Sequence, residues 1–193
     1  MAELLPSRSA LVNVDVQNCF VEGAPDGVGL VARINRLAAA CRDAGILVIH
    51  TRHVLRPDGS NTGVLAQLPK VRDGLLDQGA ESAAFHPDLV LDERDVLLEK
   101  PRFGAFYGTD LELILRARGI EDVIISGIST PVCCDTTARE ANARDFRVWF
   151  LSDSTSATGP DAERFQTATL EVLDGLFAKV LTTRELLKRV GRA

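Results

Sequence analysis

Buried-strand patterns alternate with helix patterns along almost the whole chain of 193 residues. Short apolar runs predict strands at 10–15, 46–51, 95–100, 123–127, 147–152 and 178–181. Segments with helical apolar spacing lie between and after them, at 28–44, 110–118, 134–145, 161–176 and 184–190. This alternation predicts a parallel sheet with helices on both faces. We therefore expect one α/β domain, 1–193, with three α/β/α layers and a mainly parallel six-stranded sheet in the order 3-2-1-4-5-6.

One long segment, residues 52–91, breaks this alternation of strands and helices. It contains the turn-rich run 56–63, which includes proline, glycine, serine and asparagine. A loop of this length in a compact domain is usually functional or a lid. Because it follows the second predicted strand, it begins at the carboxyl edge of the sheet, and we expect it to contribute to substrate recognition.

Three chemically reactive side chains are predicted at that same edge. Asp15 ends the first predicted strand, Lys100 ends the third, and Cys133 follows the fourth. Taken alone, each residue has a simpler explanation. Asp15 could be a capping carboxylate, Lys100 a solvated strand end, and Cys133 a small buried hydrophobe. Ligands of open parallel sheets bind beyond the carboxyl ends of the strands, however. A carboxylate, an ammonium and a thiol together there favour a nucleophile with its base and a positive stabiliser.

The local sequence around Cys133 predicts the start of a helix. Thr130 is the candidate N-cap residue, and Pro131 fits the first helical position. Cys133 would then lie in the first turn, where free N–H groups and the positive end of the helix dipole favour a thiolate.

These residues belong to three sequence blocks that resemble a known family. The segment 15–17 with Phe20, then 100–106, then 127–134, resemble the signature blocks of the isochorismatase-like cysteine hydrolases in order and spacing. The resemblance extends from about residue 9 to about residue 185. It implies that Cys133 is the nucleophile, Asp15 the general base and acid, and Lys100 the third member of a catalytic triad.

The resemblance also implies the geometry around the nucleophile. It implies a cis peptide bond between Ile128 and Ser129. In the family, this bond aims the amide of the residue matching Ser129 at the developing oxyanion, together with the amide of the nucleophile. Ser129 and Cys133 are therefore the expected oxyanion hole.

The activity that the resemblance implies is hydrolysis of a carbon–nitrogen bond in a small amide, ureide or lactam, through a thioester. Such an enzyme would be an amidohydrolase acting on bonds other than peptide bonds. One alternative is a true isochorismatase, a vinyl-ether hydrolase, but that branch has a small residue in place of the nucleophile. The other is a non-catalytic binding or assembly member of the fold.

Two further residues bear on the chemistry. His53 follows the second predicted strand, and a Cys133–His53 pair would be the conventional thiol–imidazole arrangement. Nicotinamidase-type relatives bind a metal through an Asp-x-His motif after this strand, but Thr51 stands here in place of the aspartate. We therefore expect no metal and no cofactor. The candidate substrate-binding residues are Gln17, Phe20, Phe103, Phe106 and Tyr107.

Composition narrows the class of partner. The net charge is -5, charges of both signs are interspersed, and aromatic residues make up 5% of the chain, so nucleic acid is not expected. The apolar runs are too short to cross a bilayer, and the N-terminus does not resemble a signal peptide. The four cysteines show no metal or disulfide spacing. We expect a cytoplasmic homo-oligomer, a dimer or tetramer, with a small-molecule substrate and no membrane partner.

Overall fold

A computed structural model describes residues 4–191 of the protein. The strands are β1 Ser9–Val14, β2 Leu47–His53, β3 Val96–Lys100, β4 Asp122–Ile128, β5 Arg147–Ser156 and β6 Lys179–Leu181. They form one sheet in the order β3-β2-β1-β4-β5-β6, and every neighbouring pair is parallel. The predicted fold class and strand order are confirmed.

In the described part of the chain, seven α-helices connect and follow the strands. They are α1 Asn18–Val21, α2 Gly27–Asp43, α3 Pro69–Arg72, α4 Leu111–Ala117, α5 Asp135–Asn142, α6 Ala162–Leu173 and α7 Thr183–Val190. Apolar side chains of α4, α5 and α6 pack on one face of the sheet. Those of α2 and α7 pack on the other. Within residues 4–191, no helix combines the length and the apolar character that crossing a bilayer would require.

The two central strands are buried along their whole length, as expected for a parallel sheet covered on both faces. Two strands extend at least two residues further toward the carboxyl edge than the sequence pattern predicts. β2 continues to His53, which pairs with Lys100 of β3. β5 continues to Ser156 and pairs again with β4 after a register shift at Ile125/Gly127. Pairing with a neighbouring strand therefore orders polar residues that the apolar pattern left out.

The long segment after β2 has secondary structure of its own. It contains 3₁₀ turns at Gly63–Gln67 and Glu81–Ala83 and the short helix α3. Leu55, Leu65, Val71 and Leu76 form a small apolar cluster inside it. The amide of Leu55 donates to the carbonyl of Leu76 at 2.8 Å, which closes residues 55–76 into one unit. We call residues 55–76 the roof segment because they cover the site described next.

Candidate active site

Asp15 and Lys100 form a buried ion pair at the carboxyl edge of the sheet. Lys100 Nζ lies 2.7 Å from Asp15 Oδ2, and both side chains are 0% exposed. Lys100 Nζ also donates to the carbonyls of Arg102 at 2.9 Å and Phe103 at 2.8 Å. Burial lowers the pKa of Lys100, but the neighbouring negative charge of Asp15 raises it, and the net shift is upward. Lys100 is therefore held as a cation beside the carboxylate.

Thr51 positions the Asp15 carboxylate. Its hydroxyl donates to Asp15 Oδ1 at 2.8 Å, and its carbonyl accepts from the Asp15 amide at 3.0 Å. Asp15 has a backbone φ of 50°, in the left-handed region that non-glycine residues rarely adopt. Asp15 Oδ2 bears the ion pair with Lys100 at 2.7 Å, so both oxygens of the carboxylate are held in place. Sequence reasoning noted Thr51 only as a missing metal ligand and overlooked this positioning role.

Cys133 lies in a π-helical turn, Thr130–Cys134, that leads into α5. The prediction that Thr130 is the N-cap was wrong. Ser129 is the last extended residue before the turn, and its carbonyl accepts from the amides of Val132 and Cys134 at 3.1 Å each. Among residues 4–191, no side chain caps the turn. The peptide bond between Ile128 and Ser129 is cis.

The protonation state of Cys133 follows from its burial. The residue is only 3% exposed. Burial raises the pKa of the Cys133 thiol well above its ordinary value, and Lys100 lowers it by less. Desolvation therefore opposes the thiolate that the start of the helix was expected to favour. A protonated thiol needs a base before it can attack, and one carboxylate oxygen of Asp15 lies within 4.8 Å of Cys133 Sγ.

Helix α5 joins the nucleophile turn to the segment that follows Lys100. The hydroxyl of Thr137 donates to the carbonyl of Cys133 at 2.7 Å and accepts from the amide of Ala105 at 3.1 Å. Glu140 accepts from the amide of Phe106 at 3.0 Å. A Cβ atom added at Gly104 would lie 2.1 Å from Glu140 Oε2, so a larger residue there would have to displace the Glu140 carboxylate. The two halves of the site are thus fixed relative to each other.

A cavity of about 340 Å³ opens above Cys133. Its wall is mostly apolar and is formed by the roof segment, by two phenylalanines and by the nucleophile turn. The lining residues are Phe20, His53, Leu68, Pro69, Lys70, Val71, Leu75, Leu76, Phe103, Ser129, Val132, Cys133 and Thr158. A cavity of this size and character suits a small organic molecule.

The predicted substrate-binding residues occupy different places. Phe20 and Phe103 line the cavity. Gln17 does not: its side chain accepts from the His53 amide at 2.7 Å and donates to the carbonyls of His53 at 3.1 Å and Ala83 at 2.8 Å. Phe106 packs in the core, and Tyr107 is 62% exposed. Both lie outside the cavity, because hydrogen bonds to α5 turn the chain away after Phe103.

His53, which the sequence offered only as an alternative partner for Cys133, is part of the site. Its ring lies inside the cavity wall, fully buried, and both ring nitrogens lack a hydrogen-bond partner among residues 4–191. Burial, and secondly the charge of Lys100, lower the pKa of His53 to about 4. The imidazole is therefore neutral at physiological pH.

Asp15, His53 and Cys133 are also the one group in the described part of the chain that could hold a metal ion. Each offers one ligand atom, and the three atoms lie within 4.8 Å of one another. The fit to a cation is poor, because the ammonium of Lys100 lies 2.7 Å from Asp15 Oδ2. That charge would repel a metal at this position.

Comparison with known proteins agrees with this geometry. Residues 9–185 match the family model of the isochorismatase domain. The chain is 29% identical to ureidoacrylate amidohydrolase RutB of Rhizobium rhizogenes, over 98% of this chain and 86% of the relative. The corresponding protein of Methylobacterium radiotolerans is 30% identical over 97% of this chain and 83% of the relative.

A solved structure is also very similar. The cysteine hydrolase of Pseudomonas syringae pv. phaseolicola superimposes with a TM-score of 0.92 at 32% identity, covering 100% of this chain and 96% of that one. This chain belongs to the isochorismatase family, as its sequence blocks predicted. The curated relatives are amidohydrolases, in agreement with the predicted class of enzyme, a hydrolase of carbon–nitrogen bonds other than peptide bonds.

Proposed function

We propose that this protein is a cysteine amidohydrolase that cleaves a carbon–nitrogen bond of a small amide, ureide or lactam through a thioester on Cys133. One observation carries the proposal. The thiol lies at the base of an apolar cavity, beside a buried pair of one carboxylate and one ammonium. That set supplies a nucleophile, a base and a compensating charge without any further group.

In the first step, Cys133 Sγ attacks the substrate carbonyl carbon while Asp15 accepts the thiol proton. A general base is required because burial raises the pKa of the thiol. The new carbon–sulfur bond turns the carbonyl oxygen into an oxyanion, which the amides of Ser129 and Cys133 stabilise. Lys100 remains cationic and limits the energetic cost of negative charge in the buried site.

In the second step, the tetrahedral intermediate collapses. The carbon–nitrogen bond breaks, the carbonyl re-forms, and Asp15 donates its proton to the leaving nitrogen. Ammonia or an amine departs and leaves a thioester. Asp15, ionised again, then takes a proton from water, whose oxygen attacks the thioester. The carbon–sulfur bond breaks, the sulfur recovers the proton from Asp15, and an acid is released.

The size of the cavity and the activity of the relatives narrow the range of candidate substrates. A volume of about 340 Å³ with an apolar roof favours a small molecule with a planar polar head and a short apolar portion. Because ureidoacrylate amidohydrolases are among the relatives, small ureides are the first compounds to test. Vinyl-ether hydrolysis is disfavoured by Cys133, and a non-catalytic role would leave the buried triad without a purpose.

The proposal includes a cytoplasmic homo-oligomer, a dimer or tetramer. The four cysteines are free, which is typical of a reducing compartment. Leu68 and Val132, both at the cavity, are 45% and 37% exposed, and a neighbouring subunit could cover them. Light scattering on the purified protein measures the oligomeric state.

The decisive experiment removes the nucleophile. Ammonia release is screened over small amides, biuret-like ureides, carbamoyl amino acids, lactams and nicotinamide. Cys133→Ala should abolish turnover. Cys134→Ala is the matched control: Cys134 is equally buried but does not line the cavity, so most activity should remain. Peptide mapping after iodoacetamide treatment should show preferential labelling of Cys133. Labelling of Cys134 alone, with activity lost, would refute the assignment.

A further inference from the structure

His53 is a buried polar group that the proposed reaction does not use. Its side chain is fully buried, and neither Nδ1 nor Nε2 has a hydrogen-bond partner within residues 4–191. One ring nitrogen lies within 4.8 Å of both Cys133 Sγ and an oxygen of Asp15. Buried polar groups without a partner are rare and destabilising. A ligand that bonds to this ring would remove that penalty.

The fold holds the ring in place from outside the cavity. The side chain of Gln17 bonds both to the amide and to the carbonyl of His53. The His53 ring meets the ring of Phe103 edge-on, with centroids 5.8 Å apart. The Pro101 backbone lies close enough to the ring to raise the pKa of His53, but no hydrogen bond of normal geometry joins them. The ring is thus positioned by packing and by its backbone, which leaves its nitrogens free for a ligand.

The His53 ring carries no net charge, and it therefore favours an uncharged ligand group. Burial and the neighbouring Lys100 keep His53 neutral, and a neutral imidazole offers one donor and one acceptor. The charged groups nearby, Asp15 and Lys100, already satisfy each other. An amide or ureide presents an N–H donor and a carbonyl acceptor in one plane, and therefore matches the ring.

We propose that His53 is a substrate-binding residue that hydrogen-bonds the amide or ureide group whose carbonyl carbon lies over Cys133. This inference rests on the proposed function in that it takes the substrate to be an amide or ureide. His53 would be a polar group in an otherwise mostly apolar cavity. Compounds without an amide or ureide group would lack the hydrogen bond that the correct substrate makes to it. A site built to hydrogen-bond its substrate discriminates strongly against analogues that lack the partner.

The test compares two alkylating reagents that differ in the amide group. Iodoacetamide carries an amide, whereas iodoacetonitrile carries neither a carbonyl nor an N–H. In both reactions a carbon–sulfur bond forms on Cys133 and iodide leaves. The rate ratio of the two reagents at Cys133, measured by peptide mapping, is divided by their ratio for N-acetylcysteine. This normalised preference reports amide recognition and requires no turnover.

We expect the wild type to prefer iodoacetamide, and His53→Leu to reduce the preference about three- to tenfold, the scale of one net hydrogen bond. His53→Gln retains a donor and an acceptor and should keep most of it. His86→Leu is the matched control, because His86 does not line the cavity. Circular dichroism and thermal melting verify folding, and His53→Gln serves as the second variant.

Two results would overturn the inference. An unchanged preference in His53→Leu would mean that the ring does not contact the amide. If both reagents slowed together in His53→Leu and the preference persisted, His53 would act on the thiol as its base. The proposed function fails separately, when the wild type releases no ammonia from any amide or ureide, and the alkylation preference can still be measured in that case.

Discussion

The two walls of the cavity are built in opposite ways. We call Asp15, Lys100 and Cys133 the floor: Cys133 lines the cavity, and the buried pair of Asp15 and Lys100 lies beside it without lining the cavity. The three polar side chains lie at or just beyond the ends of three strands and are at most 3% exposed. The roof segment consists of short turns and one short helix, with an apolar cluster of its own. The contrast indicates that the sheet fixes the chemistry, while a separate insertion shapes the space for the substrate.

The two walls are connected at a definite point. The guanidinium of Arg102, two residues after Lys100, donates to the carbonyl of Asn61 in the roof segment at 2.9 Å. Arg102 therefore acts as a link between floor and roof, and sequence analysis gave no indication of this role.

The largest expected effect on turnover comes from substituting residues of the floor. Asp15→Asn keeps the shape of the side chain but cannot accept the thiol proton, so turnover should fall at least about a hundredfold. Lys100→Ala should also disable the enzyme, because it leaves a buried carboxylate without its partner. The two losses should not add, since the residues act as one unit. Steady-state kinetics of both variants and the double variant measure this.

Circular dichroism controls for the fold of these variants. Near-native turnover in Asp15→Asn, together with complete loss in His53→Ala, would replace the Asp15 mechanism with a Cys133–His53 pair.

Lowering the pH should decrease the free energy of unfolding, because two buried histidines lie on β2. His50 and His53 both lie on β2 and are fully buried, and burial lowers the pKa of each to about 4. These values lie below the ordinary 6.5, so the unfolded state binds more protons between pH 6.5 and 4 and stability falls as pH falls. The loss from pH 7 to pH 5 should be about 2 kcal/mol for each histidine.

Urea unfolding at the two pH values measures the change. His53→Gln should reduce the pH dependence by about half, whereas His86→Gln should retain the wild-type dependence. A stability that did not change between pH 7 and pH 5 would show that the two rings are not held neutral in the fold.

The floor could be predicted from the sequence because its residues follow strands of clear pattern. Alternation gave the parallel sheet, and the strand-end rule brought Asp15, Lys100 and Cys133 to one edge, where the structure places them together. The role of Thr51 was hidden, because it depends on a cross-strand contact with Asp15. His53 was expected just beyond β2 and is instead its last residue, because β2 gains its final residues by pairing with β3.

The roof could not be predicted in the same way. Residues 55–76 have no period of 2 or 3.6, and their order comes from contacts such as the bond between Leu55 and Leu76. Which phenylalanine faces the cavity was equally obscure. Phe103 and Phe106 are three residues apart, but the hydrogen bonds of α5 to the intervening turn separate their environments.

A smaller effect is expected from changing the roof. Leu75→Ala enlarges the cavity without touching the floor, so KM should rise by at least about fourfold, the contribution of one buried methylene, while kcat changes less. Leu113→Ala, on the exposed face of α4 and 70% exposed, is the matched control. A fall in kcat with unchanged KM would mean that the roof takes part in the chemistry, and the division between the two walls would fail.

The smallest expected effect is that of metal removal, which tests whether the floor is complete. Asp15, His53 and Cys133 resemble a ligand set by distance alone. A bound cation, however, would have to displace the ammonium of Lys100 from Asp15 or tolerate its charge at close range. Because Lys100 supplies the positive charge that a metal would otherwise supply, prolonged dialysis against a chelator should leave turnover unchanged. Added zinc should inhibit, since it competes for the thiol of Cys133. Loss of turnover on chelation, restored by zinc or manganese, would instead place a metal in the floor and assign His53 to its coordination.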